Sequence, residues 1–217
     1  IGGYAGGFTA MATSDIQAFD ACSNTGDITF SGEAGLKGTG DIRIGGWLAT
    51  LSGTTSKDTN ANFTNGFTNS GNITYNGKLH STDGAVYIGG VIGEYKLVTK
   101  NNSAWTGEVA FTGNISCTGT HGATTYVGGI FGDANCSAAN CKVDSTIAAT
   151  GYNNVGMLIG TPRSADVFIS NCKVRGSILG VALTATNYFD YLYGGTTDWS
   201  GVTDYDGCSF LSVKPTI

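Results

Sequence analysis

The chain has 217 residues, enough for one large all-β body, and its 16 acidic against 11 basic side chains give a net charge of -5. Charged residues are only 12%, with no Lys/Arg stripe to follow phosphates and no run near the roughly 18 apolar residues that span a bilayer, so nucleic-acid binding and a helical membrane span in this segment are excluded. Thirty-five glycines, two prolines and 41% hydrophobic residues at recurring positions exclude disorder and favour many short strands and turns over helices.

From the N-terminus the chain repeats one pair of phrases. YAGGFTA (4–10) ends a strand on a Gly-Gly pair, and CSNTGDITFSG (22–32) follows with a small-polar turn and an alternating strand. The second copy is IRIGGWLA (42–49) with FTNSGNITYNG (67–77), and the third is VYIGGVIG (86–93) with SAWTGEVAFTG (103–113). The fourth is TYVGGIFG (125–132) with CKVDSTIAATG (141–151), and a degraded fifth reads NNVGMLIG (153–160) with CKVRGSILG (172–180). The first glycines, Gly6, Gly45, Gly89, Gly128 and Gly156, step by 39, 44, 39 and 28 residues. The turn positions Gly26, Gly71, Gly107, Ser145 and Gly176 step by 45, 36, 38 and 31. Strands keep their length while the steps vary, so insertions fall in loops, as in a solenoid.

Within the partner phrase Ile28, Ile73, Val109, Ile147 and Ile178 begin an apolar face that Phe30, Tyr75, Phe111 and Ala149 continue, with Thr29, Thr74 and Ala110 pointing the other way. Matching residues are expected to stack in parallel ladders about 4.8 Å apart. In the Gly-Gly strand Val91 and Ile92, like Ile130 and Phe131, are adjacent and apolar. They cannot both face inward in a flat strand, so a bulge at the glycines or an outer loop is expected. The expected fold is all-β: a parallel β-helix (β-solenoid) of five to six coils, right-handed as parallel crossovers are. A β-sandwich would account for the spaced turns but not for one phrase recurring with one partner.

Residues 1–180 are read as the solenoid repeats, and 181–217 as the degraded last coil and C-terminal cap of the same domain. In this tail NYFDYLYGGTTDW (187–199) is aromatic-rich and YDGCSFLSV (205–213) is like a last coil. Cys22, Cys141 and Cys172 share a repeat position with Phe67 and Ser103, which reads as a packing slot for small thiols. Cys136 and Cys141, in NCSAANC, are a candidate loop disulfide, whereas zinc lacks paired C-x-x-C spacing. No metal or cofactor is expected.

Two places carry candidate chemistry. The loop between the partner strand and the next Gly-Gly strand holds His80, Asp83 and His121, with Glu33, Lys37, Asp41 and Lys78. Lined up along one edge, these would form the groove of a polysaccharide-cleaving lyase or glycoside hydrolase. The histidines stand nine and seven residues before Gly89 and Gly128, out of register, so the edge reads first as solubilising charge. The tail aromatics Tyr188, Tyr191, Tyr193 and Trp199 would make a sugar-stacking platform or, more simply, pack as a cap. Trp47, at the Val91 position, reads as packing, and Trp105, after a long loop, as exposed. DYDG (204–207) lacks the full spacing of a calcium loop, and no Gly-x-Ser-x-Gly elbow occurs.

The succession Cys-x-Asn-x-Gly-x-Ile-x-x-x-Gly, followed by Ile/Val-Gly-Gly-Ile/Val-x-Gly, resembles the GLUG-type repeats of large exported surface proteins of Gram-negative gut bacteria. CSNTGDITFSG, FTNSGNITYNG, VYIGGVIG and TYVGGIFG carry the resemblance, which covers about four fifths of the chain. It implies an extracellular or cell-surface β-solenoid at the bacterial outer membrane, engaged in adhesion and without catalytic residues, its anchor lying outside this segment. The expected function is non-enzymatic binding of a host or bacterial surface glycan or protein. A polysaccharide-cleaving enzyme and a structural stalk are the alternatives.

Overall fold

Period-two burial makes the strands. Ile42 and Ile44 are fully buried while Arg43 between them is not, and Cys141–Ala148 alternates along its whole length. The computed structural model describes residues 3–7, 9–12, 21–36, 40–52, 66–96, 107–122, 124–134, 138–162, 169–195 and 207–212. Over these the chain is an all-β parallel β-helix in which each strand pairs with its counterpart in the next copy. Strands Gly3–Gly6, Ile42–Gly45, Ala85–Gly89, Thr124–Gly128 and Val155–Gly156 form the first parallel sheet. Thr9–Ala12, Leu48–Ser52, Ile92–Lys96, Phe131–Ala134 and Ile159–Pro162 form the second. The partner phrases build a ten-stranded third sheet. There Cys22–Asn24, Phe67–Asn69 and Val109–Phe111 stack beside Ile28–Phe30, Ile73–Tyr75 and Ile115–Cys117, and both columns continue into Cys141–Ala148 and Lys173–Ile178. Among the described residues no helix is long and apolar enough to cross a membrane.

The third copy sits in a different register from the one its sequence suggests. Val109 pairs with Phe67 and Cys141, in the column that begins at Cys22, whereas Ile115 pairs with Ile73 and Ile147. The isoleucine column is therefore Ile28, Ile73, Ile115, Ile147 and Ile178, and the turn glycine is Gly113, not Gly107. The slip arises because TGEVAFTG (106–113) and TGNISCTG (112–119) both read Thr-Gly-x-apolar-x-apolar-Thr-Gly. Local alternation cannot separate them. Only pairing with both neighbouring coils does. Val109 also takes the slot expected for Ser103, which lies outside the described residues, as do Lys37, Trp105, Cys136, Asp204 and Asp206.

At the Gly-Gly pair the chain turns a corner instead of bulging. Gly89 ends a strand of the first sheet, Ile92 opens one of the second, and Val91 and Ile92 are both fully buried. The corner is itself a ladder: Trp47 N–H donates to the Val91 carbonyl (2.8 Å), Val91 to Ile130 (3.1 Å), Ile130 to Leu158 (2.9 Å) and Leu158 to Leu192 (2.9 Å). Trp47 thus packs in the Val91 column and lies 5.7 Å, ring to ring, from Phe67. The last rung belongs to the aromatic tail. Met157 N–H donates to the Tyr191 carbonyl (2.7 Å) and Gly194 N–H to Ile159 (3.0 Å), so Tyr191-Leu192-Tyr193-Gly194 lies over Met157-Leu158-Ile159-Gly160. Ser209–Phe210 then pairs in parallel with Lys173 and Val174.

A second recurring corner precedes the partner strand. Ala21, Asn140 and Asn171 adopt φ of 48°, 53° and 50°, and Gly66 and Gly207 adopt 94° and 70°, each just before the residue in the Cys22–Phe67–Cys141–Cys172–Cys208 position. Asparagine tolerates this left-handed region, and Asn171 Nδ2 also donates to Asn140 Oδ1 (2.7 Å), tying two coils together. Alanine has no such compensation. Ala21→Gly is expected to raise stability by about 0.5–1 kcal/mol, read as a higher urea midpoint; a lower midpoint would show that the strain at this corner is negligible.

Candidate functional site

Among the described residues, the loop edge does not bring His80, Asp83 and His121 together. Lys78 pairs in register with Glu33 and bridges to Thr120, which sets His80 one position past Leu79 and His121 level with Leu79. His80 Nε2 lies 2.9 Å from Glu33 Oε2 at an exposed site. Asp83 Oδ1 lies 3.5 Å from the hydroxyl of its neighbour Thr82. His121 turns the other way, its Nδ1 2.8 Å from the Gly122 carbonyl oxygen and its ring 4.5 Å from that of Tyr152. No hydrogen bond joins His80, Asp83 and His121, which an edge groove performing general acid–base chemistry would need. The one-residue stagger of the two histidines explains this, since neighbours in a strand face opposite ways.

The tail aromatics are part of the stack. Tyr188, Tyr191 and Tyr193 are half-buried against the core beneath the fully buried Leu192, and Tyr188 OH donates to the Cys208 carbonyl (3.2 Å). Phe189 remains exposed, and Trp199 lies outside the described residues. Tyr188, Tyr191 and Tyr193 thus pack against the core, with part of each ring left exposed.

A cluster absent from the sequence reading lies where the first and second sheets meet. Tyr4, Arg43, Tyr87 and Tyr126 stand in register on four successive coils. Arg43 Nε donates to Glu94 Oε2 (2.5 Å) and its Nη2 to Asp41 Oδ2 (2.7 Å), while its Cζ lies 5.4 and 5.0 Å from the Tyr4 and Tyr87 ring centres. Tyr87 and Tyr126 stack at 4.9 Å, 15° from parallel. Burial alone would lower the Arg43 pKa, but the Glu94 hydrogen bond and the charges of Glu94 and Asp41 outweigh it and hold the guanidinium above its ordinary value. Glu94 keeps only 4% of its side-chain surface, so loss of Arg43 would remove a positive charge bonded directly to a buried carboxylate. This clamp joins sheets and coils. The signal for it was legible, because all four residues stand two before the first glycine of a Gly-Gly pair.

A further regular surface among the described residues is the outer face of the third sheet. Thr29, Thr74 and Ser116 project there in register, beside a side-chain ladder along the turn. Asp27 Oδ1 accepts from Asn72 N–H (2.7 Å) and Nδ2 (3.1 Å), and Asn72 Oδ1 accepts from Asn114 N–H (3.0 Å) and Nδ2 (3.3 Å). Asn114 Oδ1 accepts from Thr146 N–H (2.9 Å), and Ser177 Oγ lies 3.3 Å from Thr146 Oγ1. Asp27, Asn72, Asn114 and Thr146 are exposed. Asn72 and Asn114 Nδ2 each carry two protons and spend one on the ladder, so two neighbouring donors about 4.8 Å apart stay open to an outside acceptor.

Burial pushes the Cys117 thiol up to about 12, and burial followed by proximity to Cys117 pushes the Tyr75 phenol up to about 12. Burial likewise raises Tyr152. Among the described residues no group of three or more His, Cys, Asp or Glu side chains is placed to hold a metal ion. Compared with protein-family models, curated proteins and solved structures, the chain has no match.

Proposed function

We propose that this chain is a non-enzymatic ligand-binding repeat domain of a cell-surface or secreted protein, and that it binds a neutral glycan across the outer face of its third sheet. The observation that carries this reading is the exposed Asp27–Asn72–Asn114–Thr146 ladder beside the in-register Thr29, Thr74 and Ser116. The lattice of hydroxyls and amides offers both donors and acceptors to sugar hydroxyls, and beyond the Asp27 carboxylate the charges of this face are paired, Lys142 with Glu108 and Arg175 with Asp144. The likeness to GLUG-type surface repeats supports an extracellular setting and an adhesive role. An enzymatic role finds no support in His80, Asp83 and His121, which do not converge.

The test uses the intact chain on a glycan array and on immobilised mucin, beside Thr74→Arg. Thr74 is half-buried at the centre of the face and its side chain points away from the core. The substitution is expected to change stability by no more than about 0.5 kcal/mol. It should weaken glycan binding at least about tenfold, because a long cation interrupts the lattice. Glycan binding that survives Thr74→Arg would move the site elsewhere, binding only to protein in the mucin fraction would change the ligand class, and polysaccharide cleavage would refute the reading.

A further inference from the structure

Three cysteines stand one above another at the C-terminal end of the solenoid. Lys142 pairs with Lys173 and Lys173 with Ser209, which sets the preceding residues, Cys141, Cys172 and Cys208, in one column. Ser209 N–H donates to the Cys172 carbonyl (2.9 Å), and Cys172 Sγ bonds to the Ser170 and Ala138 carbonyls at 3.2 and 3.3 Å. Cys141 Sγ bonds to the Ala139 carbonyl at 3.4 Å and Cys208 Sγ to the Ile169 carbonyl at 3.8 Å. All three are thiols, so Cys141 does not take part in the candidate loop disulfide with Cys136. In-register neighbours on parallel strands lie about 4.8 Å apart at Cα, inside the roughly 4.4–6.8 Å that a disulfide accepts.

We propose that Cys172 and Cys208 are a disulfide-forming site that staples the two-residue strand Ser209–Phe210 to the solenoid, and that the bond forms by exchange with a small-molecule disulfide. Accessibility selects this pair over Cys141–Cys172. Cys141 and Cys172 are 1% and 0% exposed, whereas Cys208 is half-buried and is the thiol a dissolved disulfide can meet. The Cys208 thiolate attacks one sulfur of the reagent, forming a mixed disulfide and releasing one thiol. Cys172 then loses its proton and attacks the Cys208 sulfur, releasing the second thiol. Two protein thiols are oxidised and one disulfide is reduced. The hydrogen bond with Cys141, against a lowering contribution from Cys208, and then burial hold the Cys172 thiol above its ordinary range, which makes the second step the slow one.

The intact chain is incubated with glutathione disulfide, alkylated without reduction and mapped by mass spectrometry. The expected product is one cross-linked peptide joining Cys172 to Cys208, with an intact mass lower by about 2 Da. A bond from either residue to any other cysteine, a lasting mixed disulfide on Cys208, or two unreacted thiols would overturn the proposal. Cys208→Ser, at a half-buried position, should keep the fold and slow oxidation of Cys172 at least about tenfold. Oxidation of Cys172 at the parent rate in that variant would refute entry through Cys208.

Discussion

Gly90→Val is expected to destabilise the chain by roughly 3–5 kcal/mol, the largest loss from any single substitution considered. A Cβ at this corner would land on the Gly129 carbonyl oxygen of the next rung and lie 2.5 Å from the nearest carbon of the Phe111 ring across the interior. Neither neighbour can withdraw. Gly129 belongs to the corner ladder, where Gly90 N–H donates to the Gly128 carbonyl (3.0 Å), and Phe111 is fully buried. The glycine is required by close approach, since its φ is ordinary. Met157 fills the same corner one rung beyond Gly129, beneath Tyr191, where the Phe111 column has narrowed to Val174. Gly26→Ala is the internal comparison, because its Cβ would meet nothing closer than Asn24 Oδ1 at 3.6 Å. That change should stay within about 0.5 kcal/mol. Urea midpoints decide the matter: equal losses for the two variants would mean that coil stacking does not govern the Gly-Gly phrase.

Raising the pH should unfold the protein through Tyr75 and Cys117. Both are buried, at 0% and 5% exposure, and both are held protonated to about 12, against ordinary values of 10.0 and 9.0. The folded chain therefore binds these protons more tightly than the unfolded one. The stability they contribute is fully present below about pH 9, begins to fall as the unfolded thiol and then the unfolded phenol ionise, and is gone once the pH passes about 12. Together the loss is on the order of a few kcal/mol. Tyr75 OH donates to the Thr120 carbonyl and its ring stands 6.4 Å from Tyr152, so ionisation would also disturb the join between loop and core. Urea midpoints at pH 8, 10 and 11 should fall progressively, and the double variant Tyr75→Phe, Cys117→Ala should remove about half of that fall, the rest coming from Tyr152 and Cys172, which are also held above their ordinary values. A wild-type midpoint unchanged to pH 11 would show that these groups ionise without cost in the folded state.

Strand positions, the parallel β-helix and the packing role of Trp47 and of the cysteine slot were legible in the sequence, because each depends on a period of two and on phrases that recur. The slip at Val109 marks the limit of that reading: two overlapping Thr-Gly phrases satisfy the same alternation, and only the neighbouring strands choose between them. Tyr191-Leu192-Tyr193-Gly194 was missed as a sixth rung for a similar reason, since its aromatic side chains hide a backbone that ladders like the earlier corners. The Tyr4–Arg43–Tyr87–Tyr126 column was visible as a recurring position, but its ion pair with Glu94 was not, because that contact crosses two sheets and 51 residues of chain.

What the sequence alone determined is which residues face inward, for alternation is a local property of the extended chain. The tertiary structure decided register, the corner at Gly-Gly, and which side chains meet: His80 and His121 were kept apart by a one-residue stagger, while Cys141, Cys172 and Cys208 were brought together. These follow from hydrogen bonds between coils, whose partners lie about 30 to 45 residues apart, and no local pattern encodes them.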